Sequence, residues 1–385
     1  MNIRKLFYLI TSFCILLVMA CGPKPMAPKA ELDTPMHHVK NGNKMLKIGK
    51  IDAALREFTR AKELDPKYSP AYVGLGLVHG IKGDYENGFK QLKVARKYAK
   101  GEEQKIDVHV GYMRLYILGG DKIEEDWLKE VERSFKKSIK IDPDNPEPYY
   151  FMGIAYKMSF EFEAASRQFA KVLEINKGFI QEADKEYAII QKIQRAMPGS
   201  VVGKKIALLE KITRADVAAL FIEELEIDEL FRKRTPKQFD TAFKDPEKKF
   251  VAGEYVKIPP ATDIEDHVLK TDIDAVIAIG IKGLQPFPDH TYKPYKVITR
   301  AEFAMMIEDI LIKITGDDSL ATKFIGSPSP FPDLRSDLPY FNAAMVCTTR
   351  NIMETKDVST GEFDPQGSVS GAESLLSIRT LKSQL

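Results

Sequence analysis

Two short stretches of the sequence combine a hydroxyl, a guanidinium and a carboxylate at the same spacing, ITRAD at 212–216 and ITRAE at 298–302. The threonine and the acidic residue three positions later form a capping-box pattern, which predicts that each threonine begins a helix. The arginine then occupies the first helical position, where the helix dipole disfavours a cation. A guanidinium beside unpaired helix-start amides can bind an anion, so Arg214 and Arg300 are candidate ligand contacts. The predicted caps are Thr213 with Asp216 and Thr299 with Glu302.

A third copy of the pattern separates the two roles of the motif. Ser370 and Glu373 keep the capping pair, but Gly371 stands where the other two copies have arginine. Capping is therefore retained where the arginine is lost, so the arginine does not serve its own helix. Besides ligand binding, one alternative stays open. Each arginine could pair with a carboxylate of a neighbouring module and only hold the modules together, with Asp263, Asp289 and Asp333 as possible partners.

The stretch 277–311 resembles the S-layer homology family, which has a Gly-Ile-x-Gly turn, an aromatic and proline loop, and the Ile-Thr-Arg-Ala-Glu motif. The resemblance implies a pseudo-trimeric helical domain over 179–385, with modules at about 183–235, 261–315 and 328–385. It also implies grooves between modules that hold an anionic cell-wall polymer or peptidoglycan. The family's groove tryptophan is absent, because the single tryptophan is Trp127. The polymer contacts implied by the resemblance are Arg214, Arg300, Thr213, Thr299, Gly280 and Gly283.

Residues 36–178 repeat a pattern of tyrosine, Leu-Gly, alanine, phenylalanine and Asp-Pro, and they resemble tetratricopeptide repeats. We expect four repeats, the third of them degenerate, and the fourth predicts helices at 147–158 and 161–175. The resemblance implies an α-solenoid whose groove recruits an envelope protein, and a rigid spacer without a ligand is the open alternative. The predicted fold is therefore mainly α, a solenoid followed by the helical trimer.

The N-terminus begins with basic residues and an apolar run that ends in Val18-Met19-Ala20-Cys21. It resembles the lipobox of bacterial lipoproteins, with an uncleaved anchor as the alternative. The resemblance implies a signal peptide over 1–20, lipidation of Cys21 and a membrane anchor at that residue. A proline-rich linker over 21–35 follows. By the sorting rule of enteric lipoproteins, Gly22 after the cysteine implies the outer membrane, and the expected location is its periplasmic face.

Composition and motifs argue against several other functions. The formal net charge of +2 gives no basic field for nucleic acid. No catalytic, metal-binding or cofactor motif is found, so we expect no enzyme activity, no metal and no cofactor. Cys347 lies in an apolar helical pattern and is expected to be buried. The lysine-rich segment 231–260 is expected to be a surface loop.

These observations predict a lipid-anchored scaffold of the cell envelope. Its C-terminal modules would bind wall polymer, and its repeats would recruit a protein partner. The alternative is an assembly factor for an envelope machine, in which the C-terminal modules are structural or bind protein.

Overall fold

The computed structural model describes residues 24–234 and 260–385 of the chain. The predicted signal peptide, Cys21 and most of the lysine-rich segment lie outside the described residues. The chain divides into two compact units, Met1–Tyr187 and Ala188–Leu385. In the described ranges both units are built from helices, and the only extended pairing is two isolated bridges. The mainly α fold predicted from the sequence is confirmed.

The first unit is a series of helix pairs. Each pair packs on the next, as stacked helical repeats require, because one pair alone cannot bury its apolar face. The helices predicted for the fourth repeat are confirmed to within one residue at their starts. The helices are α1 (Pro35–Lys47), α2 (Ile51–Leu64), α3 (Ser69–Ile81), α4 (Tyr85–Tyr98), α5 (Gly101–Gly119), α6 (Trp127–Ile141), α7 (Pro146–Met158) and α8 (Phe162–Ile175).

Small residues let one ring fill each repeat. The Phe58 ring is fully buried against Gly42 and Gly74, and a Cβ on Gly42 would lie 2.5 Å from that ring. In the fourth repeat, a Cβ on Gly153 would lie 2.6 Å from the fully buried Phe169 ring. Burying one such aromatic side chain contributes about 1.5–3 kcal/mol, and any larger residue at these glycines would expel it.

Each Asp-Pro step ends a repeat in the same way. Asp65 and Asp142 are extended C-caps, because a residue before proline avoids the helical region. Tyr72 Oη then donates to the Pro66 carbonyl at 2.7 Å, and Tyr149 Oη donates to the Pro143 carbonyl at 3.1 Å. The repeated tyrosine therefore fixes the turn into the next helix pair.

The described part of the predicted linker contacts the first repeat. Met26 N donates to the Glu63 carbonyl at 2.7 Å, and the Arg60 guanidinium binds the Asp33 carboxylate at 2.5 Å. Hydrogen bonds from Arg60 hold the pKa of Asp33 well below its usual range. The segment that leads into α1 is thus fastened to α2.

The second unit contains the three helices that carry the sequence motifs and the helices packed around them. Helix α9 (Ile180–Ala196) begins before the boundary between the units and continues into the second. The others are α10 (Val201–Ala207), α11 (Arg214–Glu223), α12 (Ile227–Arg234), α13 (Lys270–Ile279), α14 (Arg300–Thr315), α15 (Phe341–Thr349) and α16 (Gly371–Gln384).

Buried sulfur and helix hydropathy are the last two features of the fold. The Cys347 side chain is fully buried, as expected, and burial raises the pKa of its thiol. Within the two described ranges, no helix has the length and hydropathy needed to cross a membrane.

Candidate functional site

The three motifs meet in a closed ring of backbone hydrogen bonds. Ile298 N donates to the Ile212 carbonyl at 3.0 Å, and Ile212 N donates to the Val369 carbonyl at 3.0 Å. Val369 N donates to the Ile298 carbonyl at 3.4 Å and completes the circuit. Positions far apart in the sequence are thereby related by a quasi-threefold arrangement.

A capping box begins each of the three motif helices. Thr213 N donates to the Asp216 carboxylate at 2.8 Å, and Asp216 N donates back to the Thr213 hydroxyl at 3.3 Å. The same reciprocal bonds join Thr299 with Glu302 and Ser370 with Glu373. The threonine hydroxyls named as polymer contacts are therefore already engaged in capping.

Arg214 is buried, and all of its guanidinium nitrogens donate to backbone carbonyls. Nε donates to the Tyr292 carbonyl at 2.7 Å, Nη2 to the Gln285 carbonyl at 3.0 Å, and Nη1 to the Gly283 carbonyl. The cation also lies 4.6 Å from the centroid of the Tyr292 ring. Burial lowers the pKa of Arg214, although nearby Tyr292 and carboxylates oppose the shift.

Arg300 has the equivalent position in the next module. Its Nε donates to the Phe363 carbonyl at 2.6 Å and its Nη2 to the Glu354 carbonyl at 2.6 Å. Its Nη1 lies 4.0 Å from the Glu373 carboxylate. Burial lowers the pKa of Arg300, and Glu373 opposes the shift. Each arginine therefore fastens its helix start to the loop of the following module.

At the third position there is no room for a side chain. A Cβ built on Gly371 would overlap the carbonyl oxygen of Ile206 at the end of α10. Gly371 N instead donates to the Leu209 carbonyl at 2.8 Å. The C-terminal end of helix α10 occupies the volume that an arginine side chain would need.

The loop glycines hold turns for these contacts. Gly280 and Gly283 both have left-handed backbone angles, with φ of 77° and 86°, which favour glycine. The Gly283 carbonyl accepts from Arg214, and the Gly280 carbonyl accepts from Lys313 Nζ at 2.5 Å. Their direct role in polymer binding stays a prediction.

The carboxylates considered as arginine partners bind loop backbone instead. Asp263 accepts from the amides of Tyr292 and Lys293, at 2.6 and 2.8 Å. Asp333 accepts from the amides of Phe363 and Asp364 in the same way, at 2.9 and 2.6 Å. Asp289 accepts from Thr291 in its own loop. The modules are thus linked by arginine–carbonyl bonds, and the aspartates shape the loops that present those carbonyls.

A pocket of about 320 Å³ lies beside Arg300. Its cations include Lys192 and Arg195, for which the described residues provide no ion pair, and Lys356, whose Nζ lies 3.2 Å from the Glu373 carboxylate. Burial alone would raise the pKa of Glu373, but the Ser370 amide and Lys356 lower it. Four cationic side chains face two carboxylates, because Glu354 also lines the pocket. No motif in the sequence marks Lys192 and Arg195, and the one local signal for them is their i, i+3 spacing, which places them on one helix face.

A second candidate site is a groove in the first unit. It is lined by α1, α3, α5 and α7, the first helix of each pair, and by residues at the start of α9. Asp107, Arg114 and Glu147 are half-buried in it. No motif in the sequence marks these three residues, and the local signal is that Asp107 and Arg114 are seven residues apart and therefore share a helix face.

No group of three histidine, cysteine, aspartate or glutamate residues in the described ranges is arranged to hold a metal ion. The His38 ring instead forms hydrogen bonds with two carboxylates, through Nε2 with Asp33 and through Nδ1 with Glu57, each at 2.8 Å. The two carboxylates occupy opposite ring nitrogens and cannot share one ion with the ring.

Comparison with known proteins gives partial matches. No protein-family profile matches the chain. The protein CTR9 homolog of Arabidopsis thaliana is 27% identical over 128 residues, which are 33% of this chain and 11% of that protein. A solved structure titled as the functional characterization of Pseudomonas aeruginosa pilF is 14% identical and covers 43% of this chain and 93% of its own, with a TM-score of 0.22.

The chain thus spans only a small part of the Arabidopsis protein, at 11% of its length. What is shown for this chain is a mainly helical protein whose first unit is an array of stacked helix pairs.

Proposed function

We propose that this protein is a non-catalytic scaffold of the cell envelope. Its repeats would bind a protein partner, and its second unit would bind an anionic cell-wall polymer or peptidoglycan as an S-layer-homology-like domain. Lipidation of Cys21 would anchor it, at the periplasmic face of the outer membrane. The observation that supports polymer binding is the basic pocket beside Arg300, in which Lys192 and Arg195 have no ion-pair partner in the described ranges.

The chemistry of that pocket suits an acidic glycan. Lysine and arginine side chains bind carboxylate or phosphate groups, and arginine does so with two parallel bonds. The half-buried Leu376 and the exposed Val358 line the same pocket and offer an apolar surface for sugar ring faces. In this proposal Arg300 contributes charge at the pocket wall while its other donors hold the loop.

The test is co-sedimentation of the full chain with purified cell-wall sacculi. We expect wild type to sediment and the Lys192→Ala/Arg195→Ala double variant to stay largely in the supernatant. The matched control is Lys205→Ala/Lys211→Ala, which removes two exposed charges outside the pocket. Wild type that stays in the supernatant, or equal loss in both double variants, would contradict polymer binding at this pocket.

The anchor has its own test. Metabolic labelling with a radioactive fatty acid should label wild type, and Cys21→Ser should abolish the label. A wild-type protein that carries no label would contradict lipidation, independently of the sedimentation result.

One observation favours the second candidate, an assembly factor whose C-terminal modules are structural or bind protein. Each guanidinium nitrogen of the buried Arg214 donates to a backbone carbonyl, which favours a structural role for that motif arginine. Failure of sedimentation together with capture of a specific envelope protein by the repeats would favour this candidate.

A further inference from the structure

The groove of the first unit has two connected chambers with different linings. The narrower chamber, about 110 Å³, contains Asp107 and is walled by small and aliphatic residues of α1, α3 and α5. The wider chamber, about 600 Å³, contains the aromatic side chains at its α7 end. Asn43, Arg114 and Glu147 line both chambers, and together with the neighbouring Asp107 they form the part of the groove that we call the passage.

The charges in the passage lack fixed partners. Within the described residues, the side chains of Asp107, Arg114 and Glu147 make no hydrogen bond and no ion pair within 4 Å. Other charges nearby are paired, as Lys47 Nζ is with Glu182 at 2.5 Å and Lys157 Nζ with Glu186 at 2.6 Å. No buried side-chain nitrogen or oxygen in the described ranges lacks a hydrogen-bond partner, so the unbonded polar atoms of these three residues are open to the groove and available to a ligand.

The single cation of the set already has an apolar contact. The Arg114 guanidinium lies 4.9 Å from the centroid of the Phe151 ring, in cation–π geometry. Asp107 and Glu147 have no such contact, and burial raises the pKa of both carboxyls, that of Asp107 to about 7. Ionisation of both carboxyls would give the passage one more negative charge than Arg114 offsets, which the raised pKa values disfavour. A cation bound beside Asp107 and Glu147 would stabilise their ionised forms.

The wide chamber supplies an aromatic wall next to these carboxylates. The Tyr150 and Phe179 rings stack with centroids 5.0 Å apart, and Phe151 meets Phe179 edge-on at 6.0 Å. Leu46 and the exposed side chain of Ile81 complete the apolar lining. An apolar side chain placed here would be buried within reach of the passage.

We infer that this groove binds a segment of a partner protein in which a lysine or arginine stands beside a large apolar residue. The basic group would lie between Asp107 and Glu147 in the passage, and the apolar side chain would pack on Tyr150, Phe151 and Phe179. The inference rests on the proposed protein-binding role of the repeats and adds the chemistry of the partner. An acidic partner segment is the competing outcome, since Arg114 and Asn43 could receive a carboxylate.

The test selects peptides from a displayed library of random twelve-residue sequences on the immobilised full chain. We expect the selected peptides to be enriched in lysine or arginine next to a large apolar residue. Against one selected peptide, the Asp107→Asn/Glu147→Gln variant should bind at least about tenfold more weakly, because the cation of the peptide loses both of its charged acceptors. The matched control, Glu102→Gln/Glu163→Gln, alters two exposed carboxylates outside the groove and should bind as wild type does.

The outcomes separate this inference from the function on which it rests. Peptides enriched in acidic residues, or basic peptides whose binding survives the groove variant, would overturn the inference and leave a protein-binding repeat array in place. A library that yields no peptide above background would contradict protein binding by the repeats altogether. Loss of binding in both double variants would also overturn the inference, because it would indicate a general charge effect.

Discussion

Arginines in the two units differ in the hydrogen bonds that their guanidinium groups make. Arg214 and Arg300 are buried in the second unit, and five of their six guanidinium nitrogens donate to backbone carbonyls of the following loop. Arg114 is half-buried in the first unit and, among the described residues, has an aromatic face but no hydrogen bond. The comparison teaches that burial alone does not assign a role. A cation whose donors are satisfied holds structure, and one whose donors are free is available to a ligand.

The largest effect is expected where the arginine is missing. Gly371→Arg should destabilise the packing of α10 against α16 by more than about 4 kcal/mol, because even a Cβ overlaps the Ile206 carbonyl. Hydrogen exchange measured by mass spectrometry should show loss of protection over 201–209 and 371–384. The control Ser383→Arg adds the same side chain at an exposed position of α16. Wild-type protection in Gly371→Arg would contradict the tight contact.

The second largest loss of stability is expected on removal of Arg300, which donates hydrogen bonds to two backbone carbonyls. Arg300→Ala leaves the Phe363 and Glu354 carbonyls without their donors, at about 1–3 kcal/mol each, so a loss of about 3 kcal/mol is expected. Arg300→Lys keeps the charge but cannot span both acceptors, and should lie in between. Exchange protection over 294–312 and 360–376 is the measurement. Protection equal to wild type in Arg300→Ala would make the arginine dispensable to the fold.

Replacing a groove carboxylate should stabilise the protein, whereas replacing Arg300 should destabilise it. The folded-state pKa of Asp107 is about 7, above the unfolded value of about 4, so the native state holds the extra proton between those values. Stability should therefore fall as pH rises from about 4 to about 7, and Asp107→Asn should remove that loss. At pH 8 the free energy of unfolding of Asp107→Asn should exceed that of wild type by about 1 kcal/mol, after allowing for solvent screening of a half-buried group.

The buried Trp127 lies in the first unit, so its fluorescence during urea unfolding measures this gain at pH 4.5 and pH 8. Wild type and variant both retain the neighbouring charged residues Glu103, Glu147 and Arg114, so these residues do not account for a difference between the two proteins. Asp121→Asn, at an exposed position, is the control. An equal effect of Asp107→Asn at both pH values would mean that Asp107 titrates normally.

The smallest effect on stability is expected for Arg114→Ala. The variant loses a cation–π contact, but it no longer has a guanidinium that is desolvated on folding. The net change in the free energy of unfolding should therefore be about 0.5 kcal/mol in either direction. Urea unfolding followed by Trp127 fluorescence gives the value. A loss as large as that of Arg300→Ala would remove the contrast between the two arginines and point to a structural role for Arg114.

The sequence by itself determined the local rules of this protein. Threonine or serine followed three residues later by an acid specifies a helix start whatever lies around it, because the bonds are between near neighbours. The Asp-Pro steps and the spacing of small and aromatic residues likewise specified the repeats, since proline geometry and helix periodicity are local. The roles of the lipobox-like N-terminus and of the polymer contacts stay predictions.

Only the tertiary structure decided what each charged side chain does. The acceptors of Arg214 lie some seventy residues away in sequence, on a loop whose carbonyls are aimed by left-handed glycines and by Asp263. The loss of arginine at Gly371 depends on the end of α10, which no motif around 371 encodes. Asp107 and Glu147 come together only when successive repeats stack. Electrostatic roles depend on distance and on exclusion of water, and the fold alone sets both.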